Sequence, residues 1–300
     1  MSERDETVKR IGAGGPSGAG EDARREGLAA SLRRWCERAA VPGPVDDLSD
    51  TAAMLVASGR AGPQMRSVMM ARVRAGVGTP SIGDYTGLRS DVDRLRRLES
   101  MADAPTGGTR ALVAGRRADV LRRRLRSLRS TVVASSVVHG GGVRGMRRER
   151  REGVHLAVEQ REHLFTLLCW TPAPFADNRG RAAEFGYAAV ADLAGLVTQR
   201  AGRVGGTVPS AARKVEQWAG QGQNVGADSE RRFRDGYETL VYLAATYFDR
   251  IRSSDVWASP EFAVQRGQVD IADELARLSC DAAELQTLRA ELDAARAAAG

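Results

Sequence analysis

The sequence predicts an all-α protein: helical hairpins in the N-terminal half, then a multi-helix bundle with a long C-terminal helix. Three observations carry this. Between Asp228 and Trp257, Phe233, Tyr237, Leu240, Val241, Ala244, Tyr247, Phe248 and Ile251 recur at steps of three, four and seven, as on one face of a helix. Ala114, Ala118, Leu121, Leu125, Leu128 and Val132 follow a strict 4-3-4-3-4 spacing, an a/d seam. From Val269 to Ala299 a third apolar stripe runs through Ile271, Leu275, Leu278, Ala282, Leu285, Leu288, Leu292 and Ala295. Its heptad slips by one residue between Leu285 and Leu288, which favours a helix laid on a bundle over an extended coiled coil.

Composition divides the chain into a polar, glycine-rich tail at 1–21, expected to be disordered, and two helical regions. Residues 22–150 are basic and poor in aromatics, and residues 151–300 form an aromatic-rich bundle. Only Trp35 and Tyr85 precede Phe165; the other thirteen aromatics lie between Phe165 and Phe262. Residues 1–150 carry a net charge of +11 and residues 151–300 a net charge of −4. Most of the excess comes from Arg110–Arg151, thirteen arginines against Asp119 and Glu149. Such a patch points to a polyanion. The chain has only two lysines, Lys9 and Lys214, the signature of GC-rich coding in which Arg fills ordinary solvated positions. Cys36, Cys169 and Cys280 are widely spaced and form no C-x-x-C pair, which fits a reducing, cytoplasmic setting. The N-terminus MSERDETVKR has no apolar stretch of the signal-peptide type. The longest nearly apolar run, Leu240–Phe248, is too short to span a bilayer.

Taken in order, Gly15–Gly20 has the glycine frame of a phosphate-binding loop, but Glu21 and Asp22 stand where Lys and Ser/Thr belong. Carboxylates there would repel the phosphates, so a linker is the better reading. Asp22–Ala40, Ser49–Ala57 and Pro63–Ala75 read as three short helices separated by Pro and Gly breaks, with Thr79-Pro80-Ser81 capping a further one. Three short helices in a row also suit a DNA-reading helix-turn-helix, although no local pattern singles out a recognition helix. Asp84–Ala102 is a helix through Leu88, Val92, Leu95, Leu98 and Ala102, and the seam helix after it should fold back on it as a hairpin. Arginines fill the rest of the seam helix. Arg116, Arg117, Arg122, Arg123, Arg124, Arg126 and Arg129, with Arg147 and Arg148 downstream, are the expected nucleic-acid-binding residues.

Val132–Val138 is read as a continuation of the helix, for want of a strand partner. His139-Gly-Gly-Gly142 resembles the oxyanion-hole turn of lipase-like hydrolases, but no G-x-S-x-G nucleophile elbow follows, and a glycine break explains it. Arg147–Trp170 reads as one helix on which Glu152, His155, Glu159, Glu162 and His163 share an arc of about 100°. Glu152-x-x-His155 with Glu159 and His163 is the kind of set that carboxylate-bridged metal sites use. A solvated polar face explains the same spacing, because matching carboxylates on facing helices are missing. Asn178–Arg203 and Ala211–Ala219 read as further helices.

The sequence therefore predicts a non-enzymatic interaction or scaffold protein whose Arg-rich helix meets a polyanion, nucleic acid first among them, with protein contacts or self-association through the helical seams. No cofactor is expected. Two alternatives stand beside it: a dimeric DNA-binding regulator using the short N-terminal helices, and a metal-dependent bundle enzyme centred on Glu152, His155, Glu159 and His163.

Overall fold

The computed structural model describes residues 18–43, 45–104, 108–134, 142–175 and 230–299. These are almost entirely helical, and the sheet among them is one antiparallel pair, β1 (Ala40–Val41) with β2 (Arg231–Arg232), Ala40 opposite Arg232. Among the described residues, the helices before β2 are α1 (Gly18–Arg38), α2 (Asp50–Ser58), α3 (Pro63–Arg74), α4 (Tyr85–Ala102), α5 (Gly108–Ala134), α6 (Val143–Arg151) and α7 (Val158–Leu168). After it come α8 (Gly236–Arg252), the short α9 (Asp255–Ala258), a 3-10 turn at Pro260–Phe262, α10 (Ala263–Gln268) and the long α11 (Ile271–Ala299).

The molecule is assembled around α2. Its sequence, DTAAMLVAS, is apolar on every side, and all residues from Ala52 to Ser58 are buried. A helix without a polar face must be covered all round, and α3, α7, α8 and α11 pack against it. Ser49 starts it as a true N-cap, accepting from the Ala52 N–H at 3.1 Å, while its own N–H and hydroxyl donate to Asp249 at 2.9 and 2.5 Å. One capping residue thus fixes the start of α2 to the end of α8. At the other end Gly59 sits against α11. A Cβ placed on Gly59 would lie 2.5 Å from the Ser279 carbonyl oxygen and 2.7 Å from the Ser279 Cβ, so only hydrogen fits. Gly59→Ala is expected to push the two helices apart at a cost of about 1–3 kcal/mol, as overpacking does. A urea-unfolding midpoint equal to that of the unaltered protein would show that the helices can separate freely.

The main core runs from Val41 to Ala282 and draws on both the basic and the aromatic-rich regions. A smaller cluster, Leu98, Ala114, Ala118 and Leu121 with Leu95 and Ala102, lies along the α4–α5 hairpin. This is the predicted seam. It packs on the Asp84–Ala102 helix as expected, with Leu125, Leu128 and Val132 continuing into the main core.

Four expectations are corrected. The helix placed over Asp228–Trp257 starts only at Gly236. Asp235 is the N-cap, accepting from the Glu238 N–H at 2.8 Å, and Phe233 is buried in the extended segment before it. Its buried face is Val241, Tyr242, Leu243, Ala245 and Phe248; Leu240 and Ala244 are half-buried, and Tyr247 and Ile251 are each 38 % exposed. The apolar stripe was broad enough to fit two phases, and the core took the one centred on Tyr242. The rest of the stripe lines an open groove of about 560 Å³ against α11. Second, Arg147–Trp170 is not one helix. Gly153, at φ +70°, ends α6 in a Schellman arrangement, with Val154 N–H to Glu149 O at 2.9 Å and Gly153 N–H to Arg150 O at 3.3 Å. Third, Gly18–Glu21, assigned to the tail, already belong to α1. Fourth, Thr79-Pro80-Ser81 caps no helix; Asp84 is the cap of α4, accepting from Gly87 N–H at 2.6 Å. Met1–Ser17 of the tail, His139-Gly-Gly of the glycine turn, Asn178–Arg203 and Ala211–Ala219 lie outside the described residues.

Candidate polyanion-binding surface

Helix α5 presents its arginines on three sides of the seam, and the flanking ones are used internally. Arg122 bridges Glu99 on α4, at 2.9 Å, and Asp119 in its own helix, at 2.7 Å. Arg124 reaches Asp91 on α4 at 3.0 Å, and Arg129 reaches Glu162 on α7 at 2.5 Å. These three clamp the hairpin to its neighbours. Arg117 is half-buried. Arg116, Arg123 and Arg126 are exposed; among the described residues Arg123 and Arg126 bond only to carbonyls of their own helix, Asp119 O and Arg122 O. So the nine arginines singled out by sequence divide into structural and outward-facing members, a division that needs the positions of the acids on other helices.

Helix α6, VRGMRRERR, concentrates the outward charge. Gly145 and Glu149, one turn apart, are its buried residues. Glu149 is 1 % exposed and meets Arg72 of α3, itself fully buried, with Arg72 Nη1 3.3 Å from Glu149 Oε2. The same guanidinium donates to Val154 O and Gly78 O, both at 2.6 Å. Burial pushes the Arg72 guanidinium below its ordinary pKa, and the charge of Glu149 opposes that shift. The consequence for the surface is direct. The acid of α6 is turned inward, so its outer side carries Arg144, Arg147, Arg148, Arg150 and Arg151, all exposed. At 100° per residue they span an arc of about 160° over a helix about 13 Å long. Arg148 has a distant partner, Glu152 at 3.9 Å; the other four make no ion pair among the described residues. Arg147 and Arg148 were expected here from sequence, and Arg144, Arg150 and Arg151 were not singled out.

The proposed metal face is divided by the break after α6. Glu152 caps the end of α6 and is exposed, and His155 lies in the extended link with Nδ1 3.7 Å from Glu149 Oε2. Glu159 and His163 are exposed on α7, and Glu162 pairs with Arg129. Among the described residues no three His, Cys, Asp or Glu side chains are arranged to hold a metal ion.

A second charged cluster was not legible in the sequence. Arg60, Arg89, Arg96 and Arg234 gather around the Trp170 indole at 5.4, 5.2, 4.3 and 5.8 Å from its centroid. Two carboxylates, Glu238 and Asp93, bond into it: Arg89 bonds Glu238 at 2.7 Å and Asp93 at 3.1 Å, and Arg234 bonds Asp93 at 3.2 Å. Burial raises the pKa of Glu238, and Arg89 and then Arg234 oppose the rise. The cavity beside Trp170 is about 20 Å³, room for one water. These residues lock α4, α7 and α8 together. One sequence signal did exist: Arg89, Asp93 and Arg96 stand at i, i+4 and i+7 on one face of α4.

The cysteines are free thiols, and all three are held above their ordinary pKa by burial first, Cys169 at about 11. A thiol of that kind is a poor nucleophile at neutral pH. No helix among the described residues is long and apolar enough to cross a membrane. Comparison of the chain with protein-family profiles, with curated protein sequences and with solved structures finds no match.

Proposed function

We propose that this is a non-enzymatic helical interaction protein whose α6 arginines, supported by the outward arginines of α5, contact a polyanion, nucleic acid first among them. The observation that carries the reading is the inward turn of Glu149. It leaves five arginines and no acid on the outer side of α6, while the core holds the helix in a fixed orientation. Guanidinium groups suit phosphate oxygens through their forked donors. The short N-terminal helices support the regulator reading less well. Helix α2 is covered on all sides, and the α3 arginines are engaged within the chain: Arg66 with Ser58 O and Ala61 O, Arg72 with Glu149, and Arg74, at the surface, with Asp270 and Asp273.

Duplex DNA should bind with little sequence preference, because guanidinium–phosphate contacts position a protein without reading bases. If about four phosphates are neutralised, log K against log salt should have a slope of about −3.6. Replacing Arg144, Arg147, Arg150 and Arg151 together with Glu spares the inward residues Gly145 and Glu149 and keeps good helix formers. That variant should lose binding while its circular dichroism melt is unchanged. Retained binding, or a slope near zero, would make these arginines ordinary solvated surface.

A further inference from the structure

The long C-terminal helix is used for only half its length. α11 has 29 residues, about 43 Å at 1.5 Å per residue. Leu275, Ala276, Ser279 and Ala282 are buried against α8 and α2. From Glu284 onward every described residue is exposed except Gln286, which reaches back to Asp235 and Arg60. The remainder stands away from the body, and it is not polar all round. Leu285, Leu288 and Leu292 are 48, 60 and 49 % exposed, and Ala295 and Ala299 extend the same 3-4-3-4 stripe.

We propose that the projecting end of α11 forms a parallel two-stranded coiled coil with a second copy of this chain. The charges beside the stripe decide both partner and orientation. With Leu285, Leu292 and Ala299 at position a and Leu288 and Ala295 at d, Glu284 and Glu291 fall at g and Arg289 and Arg296 at e. In a parallel pair each g residue meets the partner's e residue five positions on. Glu284 then faces the second copy's Arg289, and Glu291 its Arg296, on both sides of the seam. In an antiparallel pair g meets g and e meets e, which sets Glu against Glu and Arg against Arg. Within its own helix Arg289 has only Asp293 at 3.9 Å, and Arg296 the same Asp293 at 3.7 Å, so neither guanidinium is firmly engaged.

The heptad slip between Leu285 and Leu288 acquires a meaning from this. The first register, Ile271, Leu275, Leu278 and Ala282, serves the bundle, whose packing ends with buried Ala282. The second register begins where the helix leaves the body. One helix thus carries two seams of different phase, one for its own chain and one for its copy. Three leucines backed by alanines form a short seam, so association should be of moderate affinity and reversible.

The full chain should show a concentration-dependent monomer–dimer equilibrium in sedimentation between low and several hundred micromolar. Leu288→Asp with Leu292→Asp should leave a monomer at every concentration with an unaltered melting curve, since both side chains are solvent-facing in the single chain. The double variants Glu284→Arg/Glu291→Arg and Arg289→Glu/Arg296→Glu should each be monomeric alone and dimerise when mixed one to one. A wild-type chain that stays monomeric over the whole range overturns the proposal. So does a dimer that survives Leu288→Asp/Leu292→Asp, or charge-swapped variants that fail to associate on mixing.

Discussion

Glu149→Ala is expected to destabilise the protein by about 3–5 kcal/mol, the usual loss when one partner of a buried ion pair is removed. The reason is what remains behind. Arg72 is fully buried, and without Glu149 its charge has only the Val154 and Gly78 carbonyls for compensation. Removing both charges, with Arg72→Met and Glu149→Leu, should cost clearly less than Glu149→Ala, although the two carbonyls then lose their donor. Urea-unfolding midpoints of the three proteins decide the matter. A Glu149→Ala midpoint close to that of the unaltered chain would mean that α6 is not anchored through this pair. The orientation of its arginines would then lose its explanation.

Phe248→Ala should be comparably costly, about 3–5 kcal/mol, as is typical for a core aromatic. Phe248 is 5 % exposed and belongs to the main core. The informative control is its neighbour. Tyr247 is 38 % exposed beside the α8–α11 groove, and Tyr247→Ala should stay within about 0.5 kcal/mol, as surface changes usually do. Thermal melts that ranked the two variants equally would put the helix in the phase first expected from the sequence, with both rings inward.

Helices were legible wherever their apolar period was narrow. The α4–α5 seam is the clearest case, because a 4-3-4-3-4 spacing admits one face only and the structure uses that face. In α8 the apolar residues cover more than half the circumference, and period alone could not choose between Tyr242 and Tyr247 as the inward ring. The break after α6 had a visible cue in Gly153, at the position where a left-handed residue closes a helix. It was masked by the favourable run of Glu and His on either side. The candidate surface was legible in composition and not in membership. Arg122, Arg124 and Arg129 look the same in sequence as Arg144, Arg147 and Arg150; what separates them is Glu99, Asp91 and Glu162 on other helices. The Trp170 cluster joins side chains from four separate stretches, and no local pattern encodes that.

The placement of α2 also sets an order on biosynthesis. Ser49 is bonded to a residue 200 positions later in the chain, and the covering helices α8 and α11 follow α2 at a comparable distance. At about 5–20 residues per second, roughly 10–40 seconds separate the emergence of α2 from that of its cover. Throughout that interval the run from Ala52 to Ala57 has no finished core to enter. Until α8 and α11 arrive, α2 has only α3 and α7 of its cover, and a holdase chaperone would find its binding segment there.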